Sequence, residues 1–215
     1  MVYSLYLVTF VDAILQSVQT NLIPYVTSSF GQHALLATTP IVAGVVGGTS
    51  NLAIAKIIDI WGRVEGLIFM MVLIVVGMIM KATCVNVEMY AAAHVLYWVG
   101  HLGLLYVINI VLADMTTLKN RMIAYSVNST PLIASTFAGP AIAELFLERS
   151  DFRWAFGAFC IILVFFFIPV WLIFFISYRR AKAMGVVQKE RSGRTVWQSC
   201  KHYFVEFDST VPSPP

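Results

Sequence analysis

The chain has 215 residues, of which 59% are hydrophobic and only 12% are charged, and its formal net charge is +3. Its mean hydropathy is +0.81. This apolar fraction exceeds that of soluble domains and excludes a soluble globular class. The small positive charge is spread over the ends of apolar segments, so it does not indicate a nucleic-acid partner. The composition predicts an integral membrane protein that lies in the lipid bilayer.

Six apolar stretches follow one another along the chain, and each has about the 20 residues that an α-helix needs to cross a bilayer. The predicted spans are residues 2–25, 34–58, 64–82, 87–112, 122–147 and 154–178. The alternation typical of strands is absent, and a spanning segment outside a closed barrel must be helical to satisfy its backbone in lipid. The sequence therefore predicts an all-α membrane protein with six transmembrane helices in one bundle, residues 1–178.

The third and sixth spans are apolar through their centres, whereas the other four carry polar side chains. The order polar, polar, apolar occurs twice, which indicates two three-helix repeats around a wet cavity. Three of the 14 Lys and Arg residues, namely Lys81, Arg149 and Arg153, fall on one side of the predicted bundle, and the others fall on the opposite side. The positive-inside rule makes that opposite side cytosolic. Residues 179–215 are predicted to be a cytosolic basic connector with an amphipathic segment.

The first span has a polar face. Asp12, Gln16 and Gln19 recur at spacings that place them on one side of a helix. An ionisable side chain within a span is costly and marks a functional site by default. Because burial disfavours the charged form of a carboxyl group, Asp12 is the candidate for proton coupling, and the two glutamines are candidates for substrate binding. The alternative is that Asp12 only bonds a neighbouring helix.

The fourth span carries a second polar face, and the fifth span adds an amide. The candidates for substrate contact share these faces and are His94, Tyr97, Trp98, His101, Asn109 and Asn128. Imidazoles and aromatic rings together suit a bulky, partly anionic or metal-chelating ligand, through hydrogen bonds and stacking. The alternative is that the rings pack and the histidines bridge helices.

The same histidines do not suit an enzyme. His94 and His101 lie seven residues apart on one helix, so they cannot ligate one haem iron from opposite sides. The sequence contains neither an H-E-x-x-H nor a G-x-S-x-G motif. We therefore expect no enzymatic activity, no cofactor and no metal site.

The predicted cytosolic turn between spans two and three carries a compact motif, Ala55-Lys56-Ile57-Ile58-Asp59-Ile60-Trp61-Gly62-Arg63. Asp59 is suited to capping the next helix, and Gly62 to a tight turn. The motif resembles the signature loop of the major facilitator superfamily, with Ala55 in place of its first glycine. The resemblance implies that Lys56, Asp59, Gly62 and Arg63 form a conformational latch on the cytosolic face.

Five segments in this order resemble fungal siderophore-iron transporters, a branch of that superfamily. They are residues 24–30, 55–63, 97–100, 113–121 and 152–157. The resemblance implies uptake of ferric siderophores driven by proton symport, across the plasma membrane or an intracellular vesicle membrane.

The family has two halves with the substrate between them, and the tail of this chain resembles the segment before a seventh span. The chain therefore resembles the amino-terminal half of a major facilitator fold and is expected to end before that span. Its expected partners are ferric siderophore, protons, and either the missing carboxy-terminal half or a second copy of itself. Two alternatives remain: a drug/proton antiporter, suggested by Gly139-Pro140, and a truncated membrane protein that does not transport.

Overall fold

The computed structural model describes residues 2–29, 35–149 and 151–183, which form helices joined by short connections. No strand occurs in these ranges, which confirms the predicted all-α fold. The helices are α1 (Val2–Ser29), α2 (Leu35–Trp61), α3 (Arg63–Ala82), α4 (Val87–Met115), α5 (Arg121–Ser129), α6 (Pro131–Arg149) and α7 (Phe152–Ala183).

Five segments within the described ranges are long and apolar enough to cross a membrane. They are Thr38–Ile58, Arg63–Ala82, Val87–Met115, Arg121–Arg149 and Phe152–Ser177. Helix α1 is not among them, although its 28 residues exceed the roughly 20 that a span requires. Its length and these five segments are consistent with the six predicted spans. The repeat relation between the two triplets stays a prediction.

The predicted fifth span consists of two helices instead of one. Helix α5 ends at Ser129 and α6 begins at Pro131, with Thr130 between them. Proline lacks a backbone N–H and suits the first position of a helix, so it starts a new helix more easily than it continues one. The Thr130 N–H donates to the Val127 carbonyl at 3.1 Å, which tightens the last turn of α5. Pro140, by contrast, lies inside the continuous α6.

Helices α3 and α4 pack with their backbones in near contact. A Cβ added at Gly77 of α3 would lie 2.7 Å from the backbone N of Tyr97, and one added at Gly100 of α4 would lie 2.9 Å from the backbone N of Ile74. Small residues allow such close approach where no hydrophobic effect drives helices together. Helix α2 packs mainly on α4, and α1 packs mainly on α6.

The core consists of apolar side chains mainly from α1, α3, α4 and α7, with smaller contributions from α2 and α6, and α3 contributes one continuous buried stripe. The stripe recurs at intervals of three or four residues and consists of Leu67, Met70, Ile74, Met78 and Lys81. Helix α7 enters the core through Phe156 and Leu163. The core belongs to a compact unit that ends at Phe175, and a second unit begins at Ile176, of which residues 176–183 are described. The predicted amphipathic segment lies outside the described residues.

Candidate coupling and substrate site

A cavity of about 240 Å³ lies between α1, α4, α5 and the start of α6. Its polar walls include Asp12 and Gln16 from α1, His101 and Asn109 from α4, and Asn128 from α5. Five of the predicted site residues therefore line one cavity. The volume is below the roughly 300–1,000 Å³ of ordinary ligand pockets, so the cavity has room for only part of a drug-sized ligand.

The break between α5 and α6 borders this cavity. Asn128 and Ser129 at the end of α5, and Pro131 and Leu132 at the start of α6, all belong to its lining. The interrupted helix therefore turns an amide and a hydroxyl toward α1 and α4. The Tyr125 hydroxyl on α5 donates to the Asn109 carbonyl at 3.3 Å, which ties α5 to α4 on the same side.

Asp12 and His101 form a buried pair in the cavity wall. The Asp12 side chain is 1% exposed, and its Oδ2 lies 2.9 Å from Nδ1 of His101. This is an ion-pair distance, although neither atom makes a hydrogen bond of good geometry with any described residue. A buried carboxylate is costly unless a partner compensates its charge, and His101 is the group placed to do so. One wall of the cavity thus holds a carboxyl group and an imidazole in contact.

Three predicted residues lie in a second cluster, which we name the lysine cluster: Gln19, His94 and Tyr97 around Lys81. The Lys81 side chain is 0% exposed. Its Nζ donates to Oε1 of Gln19 and lies 2.8 Å from Nδ1 of His94. It also lies 4.3 Å from the centre of the Tyr97 ring, a cation–π distance.

The position of the Lys81 side chain corrects the sequence interpretation, which counted Lys81 among the charges at the end of the bundle opposite the cytosol. A lysine at the end of an apolar stretch is typical of a side chain that reaches for the membrane surface. However, position 81 continues the buried stripe of α3 at the spacing that follows Ile74 and Met78. That spacing predicts a buried side chain at position 81. The sequence interpretation did not use it, because it took the buried stripe to end with the last apolar residue.

Trp98 contacts both His94 of the lysine cluster and His101 of the cavity wall. Its ring is stacked on His94 at 5.9 Å between centroids and is tilted against His101 at 5.4 Å. A Cβ added at Gly47 of α2 would lie 2.8 Å from Cδ1 of Trp98, so the glycine makes room for the indole. The predicted aromatic face of α4 is thus a continuous ring stack between two polar sites.

The predicted latch lies between α2, α3 and the end of α4. Nε of Arg63 donates to Oδ2 of Asp114 at 3.2 Å, with both side chains about half exposed. Gly62 precedes α3 with a φ of 108°, a conformation that favours glycine, and its N–H donates to the Ile58 carbonyl at 2.9 Å. Lys56 is half-buried. The Asp59 side chain lies outside the described part of the structure, so its predicted contacts stay predictions.

Within the described residues, no group of three or more His, Cys, Asp and Glu side chains is arranged to hold a metal ion. The residues brought together instead are a carboxyl group, imidazoles, amides and one amine. Such groups bind and exchange protons and hydrogen-bond to polar ligands.

The architecture defines an integral, multi-pass membrane protein with a polar cavity between its helices. Within that class, the chain belongs to the Major Facilitator Superfamily, whose family model matches residues 5–207. Family membership confirms what the loop around Gly62 and Arg63 predicted.

Several curated proteins resemble the chain over almost its whole length. MFS siderochrome iron transporter 1 from Ajellomyces capsulatus is 55% identical over 95% of this chain, which matches 36% of that protein. Siderophore iron transporter mirB from Emericella nidulans is 42% identical over 95% of this chain, which matches 34% of that protein. The chain thus spans about a third of the length of these relatives. Their names confirm the resemblance to siderophore-iron transporters and agree with the expectation that the chain is not an enzyme.

Proposed function

We propose that this chain supplies the first half of a secondary transporter that takes up ferric siderophores with protons. The observation that carries the proposal is the 55% identity, over 95% of the chain, to a protein named as a siderochrome iron transporter. Its membrane is the plasma membrane or that of an intracellular vesicle. A drug/proton antiporter and an inert fragment are less well supported, because the relatives quoted above are named for siderophore or siderochrome iron.

Asp12 and His101 are the proposed proton-coupling pair. Oδ2 and Nδ1 lie 2.9 Å apart in the cavity wall, so one proton added from the cavity side neutralises a carboxylate that is otherwise buried beside an imidazole. The charge of the pair then differs between its protonated and deprotonated states. A change of buried charge favours one arrangement of neighbouring helices over another, which is what coupling requires.

Gln16, Asn109 and Asn128 are the proposed substrate contacts nearest to this pair. All three line the cavity and offer amide donors and acceptors. A ferric siderophore presents oxygen atoms around the iron, and side-chain amides hydrogen-bond to such atoms without binding the metal itself. Gln19, His94, Tyr97 and Trp98 form the layer behind these amides and hold α4 in register.

The transporter requires a second half. Alternating access works when one bundle rocks against another around a site between them, and the cavity here is bounded by helices of one bundle only. The proposed partner is a carboxy-terminal half or, failing that, a second copy of this chain. The Arg63–Asp114 pair and the turn at Gly62 are the proposed latch that changes state as the halves move.

A chimera tests the function. The matching segment of the Ajellomyces capsulatus relative is replaced by this chain, and uptake of radiolabelled ferric siderophore is measured in iron-starved cells that lack their own carriers. We expect accumulation that a protonophore abolishes. Absence of accumulation by a chimera that reaches the membrane would refute the assignment to siderophore uptake. Expression of the 215-residue chain alone in the same cells tests whether two copies suffice.

A matched pair of variants tests the coupling residue in the same chimera. Asp12→Asn should abolish proton-driven accumulation, because an amide at this position cannot take up a proton. Glu88→Gln makes the same chemical change at an exposed position and should leave uptake unchanged. Equal uptake by the two variants would remove Asp12 from the mechanism.

A further inference from the structure

The lysine cluster holds a buried amine that has no carboxylate in contact with it. Among the described residues, the contacts of the Lys81 amine are the Gln19 amide oxygen, the His94 imidazole and the faces of aromatic rings. None of these groups is an anion at neutral pH. A buried cation is normally paired with a carboxylate, so this arrangement is unusual for a purely structural lysine.

The contact between Lys81 and His94 admits a limited set of proton arrangements. Nζ and Nδ1 lie 2.8 Å apart, so one atom must donate and the other must accept. If Lys81 is an ammonium group, Nδ1 accepts, and the ring carries its proton on Nε2. If the ring is an imidazolium, Nδ1 donates, and Lys81 must be a neutral amine. With both groups charged, two donors would face each other at this distance.

The other groups that face Lys81 and His94 are uncharged, so they do not alter which of the two side chains carries the proton. Helix α1 contributes the Gln19 amide, whose Nε2 is already engaged with Sδ of Met78 at 3.2 Å. Helix α4 contributes Tyr90 and Tyr97, whose hydroxyls are buried and make no hydrogen bond with any described residue. Helix α7 contributes the Phe156 ring, 5.6 Å from Nζ at its centre.

The charged and titratable groups farther out lie on two sides. Toward the α3–α4 connection lie the Cys84 thiol and, beyond it, Asp151 and Arg153, which interact with that thiol. Toward the cavity lies the Asp12–His101 pair, and the Tyr97 ring, which contacts Lys81, also stacks on His101 at 5.8 Å between centroids. Neither side places a carboxylate in contact with the Lys81 amine.

We propose that Lys81 and His94 form a proton-binding site of their own, which holds at most one excess proton between Nζ and Nδ1. The site is distinct from the Asp12–His101 pair, because it lies off the cavity wall and has different partners. Its charge is therefore either zero or one positive unit, and the hydrogen bond from Nζ to Gln19 connects the site to α1. The proposal concerns the proton and not the transported compound, so it stands apart from siderophore uptake.

Side-chain nitrogen NMR tests the proposal on the whole chain in lipid nanodiscs, with ¹⁵N-labelled lysine and histidine. The Lys81 and His94 signals are assigned by their loss in Lys81→Met and His94→Gln. We expect His94 to remain a neutral ring protonated on Nε2 for as long as Lys81 is an ammonium group, and the two signals to change together as pH is varied. Simultaneous ammonium and imidazolium signals would overturn the proposal. So would two signals that stay constant over the whole pH range in which the chain remains folded.

The variants provide an independent outcome. In Lys81→Met, His94 loses the neighbouring amine, so its ring should take up a proton at a higher pH than in the unaltered chain. Lys119→Met removes an exposed lysine and should leave the His94 signal unchanged. If Lys81→Met does not fold, Gln19→Glu replaces it, because a carboxylate beside the amine should keep Lys81 an ammonium group to higher pH. An unchanged His94 titration in Lys81→Met, or an unchanged Lys81 titration in Gln19→Glu, would contradict the shared proton.

Discussion

Replacing Gly77 by alanine tests how closely α3 and α4 are packed. The new Cβ would lie 2.7 Å from the backbone N of Tyr97 and 2.9 Å from its Cα. Both are backbone atoms, so a side-chain rotation cannot relieve the contact. Either α3 or α4 must move, and α4 carries Tyr97 and His94 with it. The substitution is therefore expected to perturb the lysine cluster as well as the packing.

The loss of stability caused by Gly77→Ala is measured relative to a matched control variant. Gly44 of α2 has no heavy atom within 4 Å of its added Cβ, so Gly44→Ala changes helix propensity alone. Alanine favours a helix over glycine by about 1 kcal/mol, and this gain is common to both variants. Overpacking of a well-packed contact costs about 1–3 kcal/mol, and the upper part of that range applies where backbone meets backbone.

Thermal unfolding in detergent measures the difference. Each kcal/mol shifts the midpoint by roughly 2–4 °C for a chain of this size, so Gly77→Ala should melt about 4–12 °C below Gly44→Ala. Size-exclusion chromatography before heating confirms that both variants are monodisperse. Equal midpoints for the two variants would show that the backbones of α3 and α4 are not in near contact at Gly77.

Three further predictions concern the connections between helices. A Cβ added at Gly139 would overlap Oγ of Ser17, so Gly139→Ala should lower stability by about 1–3 kcal/mol, and adding Ser17→Gly should restore it in the same unfolding assay. Arg63 and Asp114 form a half-exposed ion pair. A double-mutant cycle to alanine should therefore give a coupling free energy of only about 0.2–1 kcal/mol. A larger coupling would mean that the pair is shielded from water. Burial raises the pKa of the Cys84 thiol, which lies between α3 and α4. In a variant whose only cysteine is Cys84, maleimide labelling at neutral pH should therefore be at least roughly tenfold slower in the folded protein than in SDS. The labelling rate should increase as pH rises, because the thiolate is the form that reacts. Equal rates in the folded protein and in SDS would show that the thiol is accessible.

Helical periodicity predicted the main parts of the candidate site. Asp12 and Gln16 lie one turn apart, and the structure places both on the cavity wall with His101 from α4. That outcome follows because a polar side chain within a span avoids lipid and turns toward the interior. Spacing along one helix therefore indicates which side chains share a face. It contains no information on which face of another helix they meet.

The contacts between helices decide that the polar residues form two sites, the cavity and the lysine cluster, and the sequence does not specify those contacts. His94 and His101 share a face of α4, yet His94 contacts Lys81 of α3 and His101 contacts Asp12 of α1. The break at Thr130 was missed for a related reason, since Pro131 and Pro140 are equivalent as sequence signals. Surrounding packing decides which of them interrupts the helix.

The burial of Lys81 also implies an order of events while the protein is being made. When α3 enters the bilayer during synthesis, α1 has already been made, but His94 of α4 and Phe156 of α7 have not. A lone lysine at the end of a span reaches for the headgroup region, so at that stage Lys81 anchors α3 at the membrane surface. The amine cannot be enclosed before α4 and α7, which contribute His94 and Phe156, have been made. The residue that first tethers the third helix is therefore among the last to reach its final position.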